Sequence, residues 1–173
     1  MITVVGHRDC TMATVRLLEA ELAAALGRLA PHDLTGVVRA GAGVPVALGR
    51  AVRAAGGSLV VVLPAQGALP TPLPAHDRAA AGELLFLADH VRLLEFDPRD
   101  PGACAVADEQ IINTCHGVIA VWDGSPAVTA QGVAPLVAYA RGRDLPVEVV
   151  WPAGAERLTF PAQGTARTDG TPQ

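Results

Sequence analysis

The sequence predicts an α/β fold, a doubly wound, mainly parallel sheet of about six strands with helices on both faces. Three observations predict it. Short Val- and Ile-rich runs alternate with longer Ala/Leu segments at helical spacing, the pattern of parallel strands joined by crossover helices. Several runs are apolar at consecutive positions instead of alternately, as strands covered on both faces are. Glycine and proline gather just after the strand-like runs, where such a sheet turns into its helices.

The elements follow in order. Ile2–Val5 is the first strand, and Met12–Leu29 the clearest helix, with Val15, Leu18, Leu22, Ala25, Leu26 and Leu29 on one stripe. Leu34–Arg39 is the second strand. The next helix carries Val44, Leu48, Ala51, Val52 and Ala55 and stops at Gly56-Gly57, a C-cap signal. Leu59–Leu63 is the third strand, followed by "QGALPTPLPA" (Gln66–Ala75), whose three prolines and glycine predict an exposed loop that is a candidate lid. Helices over His76–His90, Cys104–Cys115 and Val133–Arg143 then alternate with strands over Val91–Phe96, Val118–Trp122 and Val147–Trp151. Residues 1–152 are thus expected to form one domain. Residues 153–173 are expected to be a largely disordered tail, because their last dozen residues are too poor in apolar side chains to offset the entropy of ordering.

Composition narrows the function. The chain has 173 residues, 17% of them charged, with a net charge of −4 and all 13 basic residues arginine. Such a balance offers no basic field for nucleic acid, so a polyanion partner is not expected. The three cysteines, Cys10, Cys104 and Cys115, show no C-x-x-C or Cys/His spacing, so neither a disulfide framework nor a metal site is expected. The absence of a signal-like or membrane-length apolar run leads to the expectation of a soluble, cytoplasmic protein.

In an open parallel sheet, ligands bind beyond the carboxyl ends of the strands, so the residues following each strand are the candidates. After the first strand come Gly6, His7 and Arg8; after the second, Gly41, Ala42 and Gly43, with Pro45 in the first helical turn; after the third, Pro64; after the fifth, Asp123, Gly124 and Ser125, with Gly132 ahead of a helix. Gly41 and Gly43 permit close backbone approach, and free amides at a helix start suit an anion. An arginine fork at Arg8 suits a phosphate, and Asp123 can accept from a ribose hydroxyl. The same glycines also permit a tight turn that binds nothing, and Asp-Gly is a common turn dipeptide. The third glycine of the dinucleotide fingerprint is missing, and a P-loop lysine is missing too.

Four stretches together resemble the SLOG superfamily, a nucleotide-binding Rossmann-like group that includes LOG-type cytokinin-activating enzymes, the DNA-processing protein A fold and YpsA-like proteins. They are "ITVVGHRDCT", "VVRAGAGVPVALGRAVRAAGGSLVVVLPAQ", "DEQIINTCHGVIAVWDGSPA" and "GVAPLVAYARGRDLPVEVVWP", and the resemblance spans about Ile2 to Pro152. It implies a Rossmann-like sheet that binds a nucleotide or nucleotide-derived ligand, often in a homodimer. The LOG-type Gly-Thr-x-x-Glu motif is degenerate here. Gly132 is kept, Val133 stands for the threonine and Leu136 for the glutamate. A leucine can neither attack an anomeric carbon nor stabilise an oxocarbenium ion.

The expected function is therefore non-catalytic binding of a nucleotide or phosphorylated nucleoside, in a sensor or accessory protein that requires no cofactor. Gly6, His7, Arg8, Gly41, Ala42, Gly43, Pro64, Asp123, Gly124, Ser125 and Gly132 would line the site. One alternative is cleavage or transfer of an N-glycosidic bond by Asp123, Asp108 or Glu109. The other is a protein-interaction module with a vestigial crevice, using the proline loop Leu69–Pro74.

Overall fold

A computed structural model describes residues 1–30, 32–126 and 132–158. Its elements are β1 (Ile2–Gly6), α1 (Met12–Leu29), β2 (Thr35–Arg39), α2 (Val44–Ala54), β3 (Ser58–Gln66), β4 (Leu69–Pro70), α3 (Ala75–Leu87), β5 (His90–Glu95), α4 (Pro101–Ile112), β6 (Gly117–Val121), α5 (Val133–Arg141) and β7 (Val147–Val150). From one edge to the other the long strands run β5, β3, β2, β1, β6, β7, all parallel. The chain winds outward from β1 through β2 and β3 to β5, then crosses back to β6 on the other side of β1. The switch point lies between β1 and β6, which pair from Ile2↔Gly117 to Gly6↔Val121.

The core forms because both sheet faces are apolar. Ile2, Val38, Val61 and Ile119 face α1, α2 and α3, whose stripes include Leu18, Leu22, Leu48, Val52 and Leu84. Val5, Val118 and Ala120 pack with Ile112, Val133, Leu136 and Val137 from α4 and α5. Gly36 in β2 is required by this packing, since a Cβ there would come within 2.5 Å of the Val52 side chain.

Two details need correction. All six expected strands are present, but the segment expected as a loop adds a short seventh, because β3 runs on to Gln66 and the proline segment folds back as the two-residue strand β4, antiparallel to it. Proline is tolerated there because a short terminal strand leaves its missing N–H without a required partner. β5 already pairs with Ala65 on one side, so β4 must lie on the side of β3 where β2 has ended. The fourth helix starts earlier than expected, because the Asp100 side chain accepts from the Gly102 N–H and Pro101 opens the first turn.

Candidate functional site at the sheet switch point

His7 and Asp123 follow adjacent strands, β1 and β6, and meet across the switch point. The His7 Nε2 lies 2.9 Å from Asp123 Oδ1, and because an ionised carboxylate only accepts, that nitrogen carries the proton. The imidazole side chain is only 9% exposed and sits edge-on to Trp151 at 5.7 Å. Asp123 Oδ1 also accepts from the Ser125 N–H (2.9 Å) and Oγ (2.5 Å), an Asx-type turn in which Gly124 takes φ +81°. Its partial desolvation works to raise the pKa. The Ser125 hydroxyl and amide together with His7 outweigh this and hold the carboxyl well below the usual range.

A third participant comes from the end of the described chain. Arg157 donates through Nε and Nη2 to Asp9 at 2.9 to 3.1 Å, and through Nη1 to Asp123 Oδ2 at 3.3 Å. The backbone around it is anchored to the start of α1. Thr11 N donates to Glu156 O, Leu158 N donates to Asp9 O, and the fully buried Thr14 hydroxyl donates to Glu156 O (2.8 Å) while accepting from Glu156 N (2.6 Å). Contacts therefore continue past the boundary expected at residue 152, and residues 159–173 lie outside the described residues. Cys10, beside this bridge, has its thiol pushed up to about 11 by burial, with Asp9 adding to the effect, so it is no thiolate nucleophile.

The remaining candidates spread along the same edge. Gly6 ends β1, and a Cβ there would reach 3.0 Å from Val44 and Val121. Arg8 is exposed and makes no side-chain hydrogen bond among the described residues. At the end of β2, Gly43 takes φ +77° as the N-cap of α2, with no side-chain cap. The Ala42 amide, however, donates to Asp77 Oδ1 of α3 at 2.9 Å, so a carboxylate of the chain already occupies part of the glycine turn. Pro64 is buried, and its carbonyl accepts from Thr71 N in the β3–β4 hairpin. Gly132 is the N-cap of α5, again without a side-chain cap, while Leu136 is buried in the core. Residues 127–131, between Ser125 and Gly132, lie outside the described residues.

Of the alternative acids, Asp123 stands at the switch point, whereas Asp108 is paired with Arg39 from the end of β2. Asp108 accepts from Arg39 Nε (2.7 Å) and Nη2 (3.1 Å), and this pair is more than four-fifths buried on the Arg39 side, with the guanidinium 6.0 Å from the Phe96 ring. Glu109 follows it on α4. Trp122 packs against the α5 side of the core, and its Nε1 donates to Ser125 O at 2.9 Å. A surface depression at the amino ends of β2 and β3, lined by Leu26, Ala30, Leu34 and Ala55–Ser58, offers only Asp33 as an ionisable group and shares no residue with this site.

Sequence reasoning missed Asp9, Asp77 and Arg157. Asp9 stood within the first post-strand turn. Asp77 carried the signal of an acid in the first turn of a helix, and Arg157 stood in the segment read as a tail.

No family model and no curated protein matches the chain. Among solved structures, the molybdenum cofactor carrier protein of Chlamydomonas reinhardtii is 19% identical with a TM-score of 0.50, the likeness covering 88% of this chain and 78% of that one. DNA processing protein A from Streptococcus pneumoniae is 16% identical with a TM-score of 0.41, over 86% of this chain and 57% of that one. The chain has a Rossmann-like α/β fold.

Proposed function

We propose that this SLOG-type Rossmann-like domain binds a nucleotide or phosphorylated nucleoside at the carboxyl ends of β1, β2 and β6, as a sensor or accessory protein that does not cleave its ligand. One observation carries the reading. The two helices that start beside the switch point, α2 and α5, both begin at a glycine and both lack a side-chain cap, whereas α1 and α4 are capped by Thr11 and Asp100; α3 is uncapped too, but it starts at Pro74 and carries Asp77 in its first turn. Uncapped amides at two neighbouring helix starts, with Arg8 exposed nearby, suit an anionic ligand. The solved structures that share the fold include a protein named as a carrier of the molybdenum cofactor, which supports a small-molecule ligand.

In this reading the Asp123 carboxylate and Ser125 hydroxyl meet ligand hydroxyls, and they do so by exchanging the contact with Arg157. Gly6 and Pro64 shape the mouth. Asp77 competes with any anion at Gly41–Gly43. Bond cleavage is disfavoured because both Asp123 oxygens are engaged by His7, Ser125 and Arg157, Asp108 is committed to Arg39, and the apolar Leu136 is buried.

The test is thermal stabilisation of the purified chain by nucleotides, nucleosides and ribose phosphates, with free base assayed in the same samples. A ligand at a hundred times its Kd stabilises by about 2.7 kcal/mol. Stabilisation by phosphorylated ligands, weakened in Arg8→Ala and unaccompanied by base release, is the expected result. Silence across the panel would overturn the proposal, and base release abolished by Asp123→Asn would replace it with the glycosidic-bond enzyme.

A further inference from the structure

The two edges of the sheet are finished differently. β7 is four residues long, and its Glu148 is tied to Arg28. β5 is six residues long, contains no proline and pairs among the described residues with β3 alone. Such an edge presents a row of unpaired peptide groups, a template for another strand.

The register with β3 fixes what each face of β5 offers. Val91 and Leu93 stand beside Val61 and Leu63, on the face that α1, α2 and α3 cover, and they remain 50% and 38% exposed. The last turn of α3, which leads into this strand, leaves Leu85 41% and Phe86 90% exposed. Large exposed apolar side chains beside an open edge mark an interaction surface. His90 and Arg92 stand beside Val60 and Val62, on the α4 face, and neither makes a side-chain hydrogen bond or ion pair among the described residues. One face of the edge is therefore apolar and the other basic.

We propose that β5 takes up an extended segment of a different protein, one whose side chains alternate between apolar and acidic. Backbone hydrogen bonds add the segment as a further strand, its apolar residues meet Val91 and Leu93, and its carboxylates meet Arg92 and His90. A second copy of this chain fits the same edge poorly. A two-fold axis perpendicular to a shared sheet keeps each face against itself, so within the strand His90 and Arg92 can stand opposite only one another, themselves or Leu94. Every such register leaves the basic face without a carboxylate, and some oppose like charges, which destabilises a strand pair. A foreign segment is bound by no such symmetry. It can satisfy the apolar face and the basic face at once, and the charge that repels a second copy then selects the partner.

Fluorescence anisotropy of the full chain with two blocked, labelled hexapeptide probes tests the proposal, one probe alternating valine with glutamate and the other valine with lysine. The Val/Glu probe binds more tightly by about tenfold or more, and Arg92→Glu inverts the preference. Circular dichroism establishes that this variant remains folded. Val149→Glu, on the opposite edge, leaves both affinities unchanged. Absence of Val/Glu binding, equal affinity for the two probes, or a preference that Arg92→Glu leaves in place would each overturn the proposal. So would a wild type that sediments as a dimer and is dissociated by the probe, because β5 would then hold a second copy.

Discussion

Replacing Asp123 by alanine removes the acceptor shared by His7, Ser125 and Arg157, and the consequence can be worked from their surroundings. The His7 N–H matters most, because its side chain is 9% exposed and the truncation leaves that donor without its acceptor. A buried donor left unsatisfied costs roughly 1–3 kcal/mol. Arg157 keeps Asp9 and is 38% exposed, so its lost contact contributes less than about 1 kcal/mol. The Ser125 groups lie in an exposed turn where water substitutes. The sum is about 1–4 kcal/mol, or a Tm lower by about 2–16 °C for a domain of this size. The pH dependence identifies the charge as the cause. A carboxyl whose pKa is lowered in the folded state contributes stability above its unfolded value, near pH 3.9, and loses it as the pH falls further toward the folded value. The wild type should therefore lose its advantage over Asp123→Asn progressively below about pH 4. Calorimetric scans of both proteins from pH 7 to pH 3 measure this. Equal Tm values for wild type and Asp123→Ala at pH 7, or a difference from Asp123→Asn that does not narrow in acid, would refute the reasoning.

Other outcomes follow from single contacts. Gly36→Ala forces a Cβ against Val52 and should destabilise the fold by about 1–3 kcal/mol in urea denaturation. Gly43→Val places a β-branched residue at φ +77°, costing about 1–3 kcal/mol and abolishing ligand-induced stabilisation; retained stabilisation would remove the α2 start from the site. Thr14→Val removes the hydroxyl that donates to Glu156 O and accepts from Glu156 N, leaving the carbonyl only the Thr11 N–H, so limited proteolysis should cut around residue 156 faster than in the wild type.

The fold was legible because hydrophobic periodicity and post-strand glycines are local signals, and α1 and α2 lie where their stripes place them. β4 was not, because its pairing depends on how far β3 extends after β2 ends, which no window of sequence contains. At the site, His7, Asp123 and Ser125 were legible as residues that follow strands. The partners that constrain them were not. Asp9 reaches Arg157 across 148 positions, and Ala42 reaches Asp77 across 35, so these contacts exist only once the sheet has brought the ends together. A polar tail composition likewise concealed the segment through 158, whose attachment is made by backbone groups and a buried threonine instead of apolar side chains.

These partners make the two halves of the crevice unequal. At the β2 end, under the proposed reading, a phosphate would meet a turn whose Ala42 amide is already engaged by a carboxylate, so binding would require Asp77 to withdraw and its charge to be rehydrated. At the β1–β6 end, Arg157 neutralises part of the charge of Asp9 and Asp123 and is anchored through its own backbone, so the side chain can rotate away while the segment stays docked. Exposed ion pairs hold their partners by less than about 1 kcal/mol each, which makes the Arg157–Asp123 contact the easier one to exchange. Ligand hydroxyls that donate to Asp123 would then replace one set of donors by another at an unchanged carboxylate charge. Arg157→Ala should accordingly strengthen binding of a ligand that uses Asp123, as measured by calorimetric titration, and weaker binding would instead assign Arg157 itself to the ligand.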